Sequence, residues 1–270
     1  MLSETDDKIA LMFSDFIFSK LNEDFFVNKL DSYIEKAEKL REKRLLKAWG
    51  RDYSKLIVFN TLARCEMNAY LSFNYHLTQP NPLERVEEEN SKKTNNKKKS
   101  GKRKSKRKNN KERLIGNAVD LYLKDELRKT NYYKRGRLKF DVLLKYPVQG
   151  FLLTTETDLL VKIRKQKPYL IELKHSKELR TFDFEHLNFL SLFSSNVFVL
   201  NTYSREVFRF EQTERERQRL LSKLERVVRA VKTQNPAQLR PNLQFCWYCD
   251  RKFQCPIFLS MRQISSKLQQ

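Results

Sequence analysis

With 270 residues, 40% of them hydrophobic, and only five glycines and seven prolines, the chain can bury the core of one sizeable α/β domain and carry a helical appendage. A formal net charge of +22 favours a polyanionic partner, nucleic acid first. The acidic opening at Glu4, Asp6 and Asp7 speaks against a secretory signal, and the apolar stretch 9–18, interrupted by Asp15, is too short for a membrane span. Four cysteines without a secretion signal imply a reducing compartment, the cytoplasm of a prokaryote or the nucleus if the host is eukaryotic. Thiols there serve as metal ligands more readily than as disulfides.

Residues 1–50 read as a helical extension. Ile9, Phe13, Phe16 and Ile17 recur at three- and four-residue spacing, followed by Phe25, Leu30, Tyr33 and Ile34, with a charged face over 35–44. Residues 51–80 read as a second helical unit that starts near Ser54 and carries Cys65, which by itself suits a small buried hydrophobe. Residues 81–112 break the composition: Pro82, acids at Glu87, Glu88 and Glu89, then a run rich in Lys, Asn and Ser. Thirteen Lys and Arg lie between Lys92 and Arg113 against one acid, Glu112. Almost without apolar residues, this stretch cannot offset its ordering entropy, so a disordered basic insertion is expected. A solvated loop, a salt-sensitive phosphate binder and a nuclear-localisation-like address are its three readings. The segment 92–113 alone carries +12 of the net charge and leaves +10 on the rest, so the folded part is basic as well.

Order resumes with Leu114, Ile115, Ala118, Val119, Tyr122 and Leu123, whose spacing places a helix carrying Gly116-Asn-Ala-Val-Asp120. Strand-like runs follow at 138–146, 150–154, 157–163 and 169–174, and their short links predict an antiparallel meander. A helix over 182–194 turns Phe182, Leu187, Leu190 and Phe193 inward. Short strands come at 197–201 and 206–210. An amphipathic helix over 213–232 then aligns Leu220, Leu221, Leu224, Val227, Val228 and Val231. Residues 113–235 thus read as the core and 236–270 as a cysteine-bearing C-terminal segment.

The stretch Pro168-Tyr-Leu-Ile-Glu-Leu-Lys-His175 reads as a short buried strand. Alternation puts Glu172 and Lys174 on one face, where burial is costly unless something pairs with them. A hydrated divalent metal and a phosphodiester would do so; an edge strand with two solvated charges would fit the same pattern. Asp158 lies on the preceding strand, and if the two pair, both carboxylates converge. Asp120 from the preceding helix and the backbone carbonyl of Leu173 can complete a set of hard oxygen ligands for Mg²⁺ or Mn²⁺. Such a metal would activate water and polarise a phosphoryl oxygen, with Lys174 positioning the water or stabilising charge. Three unrelated surface acids are the plain alternative.

Cys246-x₂-Cys249-x₅-Cys255 needs a fourth ligand for a tetrahedral zinc or an iron–sulfur cluster, and Cys65 is the remaining cysteine. A metal held this way ties the N-terminal helical unit to the C-terminal segment. Trp247, Tyr248 and Phe253 are placed to shield it from water. Unligated thiols remain the third reading.

The order Cys65, Gly116-x-x-x-Asp120, Asp158, Glu172-x-Lys174, Cys246/Cys249/Cys255-Pro256 resembles RecB-like nucleases of the PD-(D/E)xK superfamily that carry an iron–sulfur staple. The CRISPR-associated RecB-family exonucleases match best in size, and exonuclease V and the AddB nuclease domain share the cysteine plan. The resemblance implies a restriction-endonuclease-like α/β core, a mixed sheet flanked by helices. It also implies a [4Fe–4S] cluster on Cys65, Cys246, Cys249 and Cys255, and catalytic Asp158, Glu172 and Lys174. The implied activity is Mg²⁺- or Mn²⁺-dependent cleavage of DNA, mainly at single-stranded ends. In a CRISPR setting it would trim spacer precursors for the integrase complex; a repair or recombination nuclease is the other setting. Asp120 stands where the family usually has histidine, and His186 and Leu190 stand where it tends to have glutamine and tyrosine. His186 could substitute as a DNA contact, or be a helix-surface residue like His76 and His175. These departures would also suit a catalytically silent DNA-binding module in which an iron–sulfur or zinc site is only a staple.

Overall fold

A computed structural model describes residues 4–49, 56–74, 103–164, 166–249 and 252–267. Helix α1 (Glu4–Lys20) and helix α2 (Leu30–Trp49) are joined through a π-helical turn at Phe25–Lys29. Strand β1 (Leu56–Val58), α3 (Phe59–Arg64) and α4 (Glu66–Asn74) follow. Then come α5 (Arg103–Arg128), α6 (Asn131–Lys134), β2 (Leu138–Val148), β3 (Phe151–Val161) and β4 (Tyr169–Lys174). The chain continues through α7 (Thr181–Leu190), β5 (Val197–Asn201), β6 (Glu206–Phe210), α8 (Glu214–Thr233) and α9 (Pro256–Lys267).

The six strands form one mixed sheet ordered β1-β3-β4-β5-β6, with β2 paired to β3. β2 and β3 form a hairpin closed by Gln149 and Gly150, both at positive φ (47° and 89°), the two-residue turn whose twist matches antiparallel strands. β3–β4 and β5–β6 are antiparallel, whereas β4–β5 is parallel, with α7 in the crossover. The antiparallel meander thus holds from β2 to β4 and stops there. The runs 150–154 and 157–163 are joined in one continuous strand, since the polar residues between them (Thr155, Glu156) keep pairing with β2.

Alternation along the strands divides the core. Tyr169, Ile171 and Leu173 face one side with Phe13, Ile17, Phe25, Val119 and Leu123, so the N-terminal extension and α5 cover that face. Leu170 faces the other side with Leu187, Leu190 and Val199. On that same side α8 presents Leu220, Leu224, Val227, Val228 and Val231 to Met67, Leu71 and Phe189. Each such side chain contributes about 1.5–3 kcal/mol on burial. Helix α8 starts where Thr213 and Glu216 cap each other reciprocally, and it ends at Gln234 in the left-handed region (φ 52°).

Four expectations change. Residues 56–58 form a strand rather than the start of a helix: the β-branched pair Ile57-Val58 lies parallel to 153–154 of β3. Cys65 sits at the junction of α3 and α4 instead of within a helix. Helix α5 begins at Arg103, inside the expected disordered insertion; Lys and Arg are good helix formers and nothing there breaks the helix that Ile115 to Leu127 anchor. Residues 81–102, like His76 and Ser54, lie outside the described residues. The helix expected over 182–194 ends at Leu190.

Candidate active site and cysteine cavity

β1 and β4 share one edge of β3 without meeting. β1 pairs with residues 152–154 and β4 with residues 159–161, so Thr155, Glu156, Thr157 and Asp158 border a gap. Into it come α5 from one face and α7 from the other. At Asp158 the ladder to β4 is replaced by side-chain bonds. The Asp158 N–H donates to Glu172 Oε1 at 3.3 Å, and the Leu173 N–H donates to Asp158 Oδ2 at 2.9 Å. The convergence of Asp158 and Glu172 expected from the sequence is present. Leu173 enters the site through its N–H.

Glu172 is only 2% exposed. Its Oε2 lies 3.6 Å from Lys174 Nζ and 3.4 Å from His186 Nδ1. Burial and the neighbouring Asp158 carboxylate push its pKa well above the usual carboxylate range. Asp158 goes the other way: burial opposes its charge, but Lys124, Lys174 and the Leu173 N–H outweigh it and hold its carboxyl low. Lys174 also reaches Asp183 Oδ1 at 3.2 Å. Although burial works against its charge, Glu172, Asp158 and Asp183 raise its pKa, so it serves as an ammonium and not as a base.

Asp120 joins the cluster from α5. Together with Asp158 and with Asp141 of β2, it offers carboxylate oxygens that all lie within 4.8 Å of one another. Burial and the Asp158 charge push the Asp120 carboxyl up to about 6, and its buried Oδ1 has no hydrogen-bond partner. Asp141 gave no signal in the sequence. It lies opposite Asp158 in the β2–β3 register, at a φ of 48°, where the two are not paired. Lys124 was also missed. Four residues after Asp120, it turns its ammonium inward to Asp120 Oδ2 and Asp141 Oδ1, both at 2.7 Å, and lies 3.6 Å from Asp158 Oδ1. The i,i+4 spacing with Asp120 was the legible clue.

His186 is no helix-surface residue. Its Nε2 is 2.9 Å from Thr155 Oγ1 and its ring stacks on Phe59 at 5.2 Å. Burial and Lys174 lower its pKa to about 4, so it is neutral at physiological pH. It fills the gap between β1 and β4 and braces Glu172. Leu190 is wholly buried in the core. His175 packs its ring nitrogen 3.0 Å from Thr202 Oγ1, away from the carboxylates.

The four cysteines line one cavity with Met67, Leu71, Phe245 and Phe258, although Cys65 lies far from the others in sequence. The Asn242 N–H donates to Cys65 Sγ at 3.3 Å. Next to Cys65, Glu66 takes Arg226 in two bonds (2.6 and 3.1 Å) and the Arg240 N–H at 2.9 Å, joining α4, α8 and the C-terminal segment. Burial, then the neighbouring thiols, raise the Cys246 pKa. The apolar wall is Phe245 and Phe258 rather than Phe253, which is 64% exposed and meets Phe258 edge-on. The side chains of Trp247 and Tyr248 lie outside the described set.

Among the described residues no helix is long and apolar enough to cross a membrane. No family model matches the sequence, and no curated protein matches it. The chain is similar to a solved protein described as "Crystal structure of SSO0001", with a TM-score of 0.47 and 16% identity over 82% of this chain and 96% of that one.

Proposed function

We propose that the chain is a divalent-metal-dependent nuclease of the PD-(D/E)xK kind that cleaves DNA, with Asp158, Glu172 and Lys174 as its catalytic residues. The observation that carries this reading is the meeting of Asp158 and Glu172 at a gap in the sheet, with the Lys174 ammonium 3.6 Å from Glu172. The donor set fits Mg²⁺ or Mn²⁺. All candidate ligands are hard oxygens, and Asp120 Oδ1 is buried without a partner. By the resemblance, a metal bound by Asp120, Asp158 and Glu172 would supply an activated water and neutralise charge on the scissile phosphate; carboxylate oxygens of Asp120 and Asp158 lie within 4.8 Å of each other and Glu172 stands outside that set. Lys174 brings a fixed positive charge to the same place, suited to charge building on phosphate oxygens. His186, neutral and locked between Thr155 and Glu172, orients the Glu172 carboxyl.

We take the group held in the cysteine cavity to be a [4Fe–4S] cluster, as the resemblance implies, with zinc as the alternative: four cysteines from two distant segments line one cavity with apolar walls. Bound there, the cluster would tie α4 to the segment before α9.

The test is labelled single-stranded DNA with Mn²⁺. Degradation is expected, abolished by EDTA and lowered at least a hundredfold by Glu172→Ala with DNA binding retained. DNA binding without any Mn²⁺-dependent cleavage would replace this reading with a silent DNA-binding module.

A further inference from the structure

Lys124 is the most deeply buried charge of the site that the catalytic reading leaves without a task. Its side chain is 2% exposed, and its ammonium has three N–H groups facing three carboxylates, Asp120, Asp141 and Asp158. A magnesium ion would need bonds of about 2.1 Å to its oxygens. At the position that Nζ takes, 2.7 Å from both Asp120 Oδ2 and Asp141 Oδ1, it would overlap the lysine nitrogen. The carboxylates therefore divide. Asp141 has its Oδ1 turned to the ammonium. Asp120 gives Oδ2 to the ammonium and keeps Oδ1 buried and unpartnered. Asp158 stands between, with Oδ1 toward Lys124 and its backbone N–H on Glu172.

We infer that Lys124 is a built-in cation that permanently fills one half of this acidic cluster, so that the site takes a single divalent ion, on the Glu172 side of Asp158. Asp141 is then a positioning residue for Lys124 and not a metal ligand. The tether explains why a helix lysine is buried at the foot of the site: removing its charge would leave three carboxylates crowded together. The inference rests on the metal-site reading above and specifies its stoichiometry.

The test is equilibrium binding of Mn²⁺ alone to the full chain, read by the electron paramagnetic resonance of free Mn²⁺. Wild type is expected to bind one ion and Lys124→Met a second. Asp141→Asn is expected to keep one ion with affinity within about threefold, while Asp120→Asn loses at least tenfold. Asp141→Asn and the wild-type stoichiometry decide the matter even if Lys124→Met fails to fold. Two ions on the wild type, or a tenfold or greater loss in Asp141→Asn, overturns the inference and leaves the metal site standing. No ion on the wild type but one on Lys124→Met sinks the metal-site reading while supporting Lys124 as the resident cation. No ion on either overturns both.

Discussion

The backbone N–H of Asp158 donates to the carboxylate of Glu172 across strands that stop pairing at that point. One side chain thereby replaces a rung of the sheet, and two acids are held close enough to raise the proton affinity of one of them. On the proposed reading, metal binding would compete with protons at Glu172, whose pKa is raised, and at Asp120, whose pKa is about 6. Mn²⁺ affinity is expected to rise from pH 5 to pH 7.5 with net proton release. Calorimetry in buffers of different ionisation enthalpy reads it; an affinity flat over that range would contradict the protonated state of Glu172.

His186 gives a pH dependence of stability with the opposite origin. Its folded pKa, about 4, lies below the ordinary 6.5, so the unfolded chain binds its proton first as pH falls. The stabilisation from keeping it neutral is complete above pH 6.5 and is lost progressively down to about 4. Between pH 7 and pH 4.5 the loss comes to about 2–3 kcal/mol. Compared with His186→Gln by urea melts, wild type should lose stability by that amount between pH 7 and pH 4.5. Parallel curves for the two proteins would refute it.

Glu66 is 3% exposed and holds Arg226 and the Arg240 N–H. Glu66→Ala leaves these donors without their acceptor and is expected to cost about 3 kcal/mol in denaturant unfolding. It should also loosen Cys65, so iron content is expected to fall with stability. An unchanged midpoint would show that water satisfies Arg226 equally well.

Gly116 tests whether the Gly-x-x-x-Asp pattern needs glycine for space. An added Cβ would meet His175 Cβ at 3.7 Å, an ordinary contact, and the position is helical. Gly116→Ala is therefore expected to stabilise by about 0.5–1 kcal/mol. A loss of stability would mean that α5 sits closer to β4 than this contact allows.

The cysteine cavity makes its own prediction. Anaerobically purified protein should be brown and contain iron and sulfide, and Cys255→Ser should lower both iron content and melting temperature. Colourless protein with stoichiometric zinc would decide for the zinc staple.

Much of the molecule was legible because periodicity reports burial directly. The stripe on α8, the strands β4 to β6 and the covered faces of the sheet follow from which residues are apolar and how often they recur. Glu172-x-Lys174 was legible for the same reason, since alternation alone puts both groups on one face. Strand β1 was not, because three residues become a strand only when β3 offers an edge to pair with. The helical start at Arg103 is hidden by a composition that suits disorder equally well. Asp141 and the burial of Lys124 were illegible for a stronger reason. Asp141 enters through one left-handed residue in a strand, and Lys124 is buried only because three carboxylates from three different elements surround it. The sequence by itself determined the layers, the strand bearing Glu172 and the residues able to carry the chemistry. Only the tertiary structure decided which carboxylates gather around the Lys124 ammonium and which oxygen stays unpartnered, because that depends on distances between segments far apart in the chain.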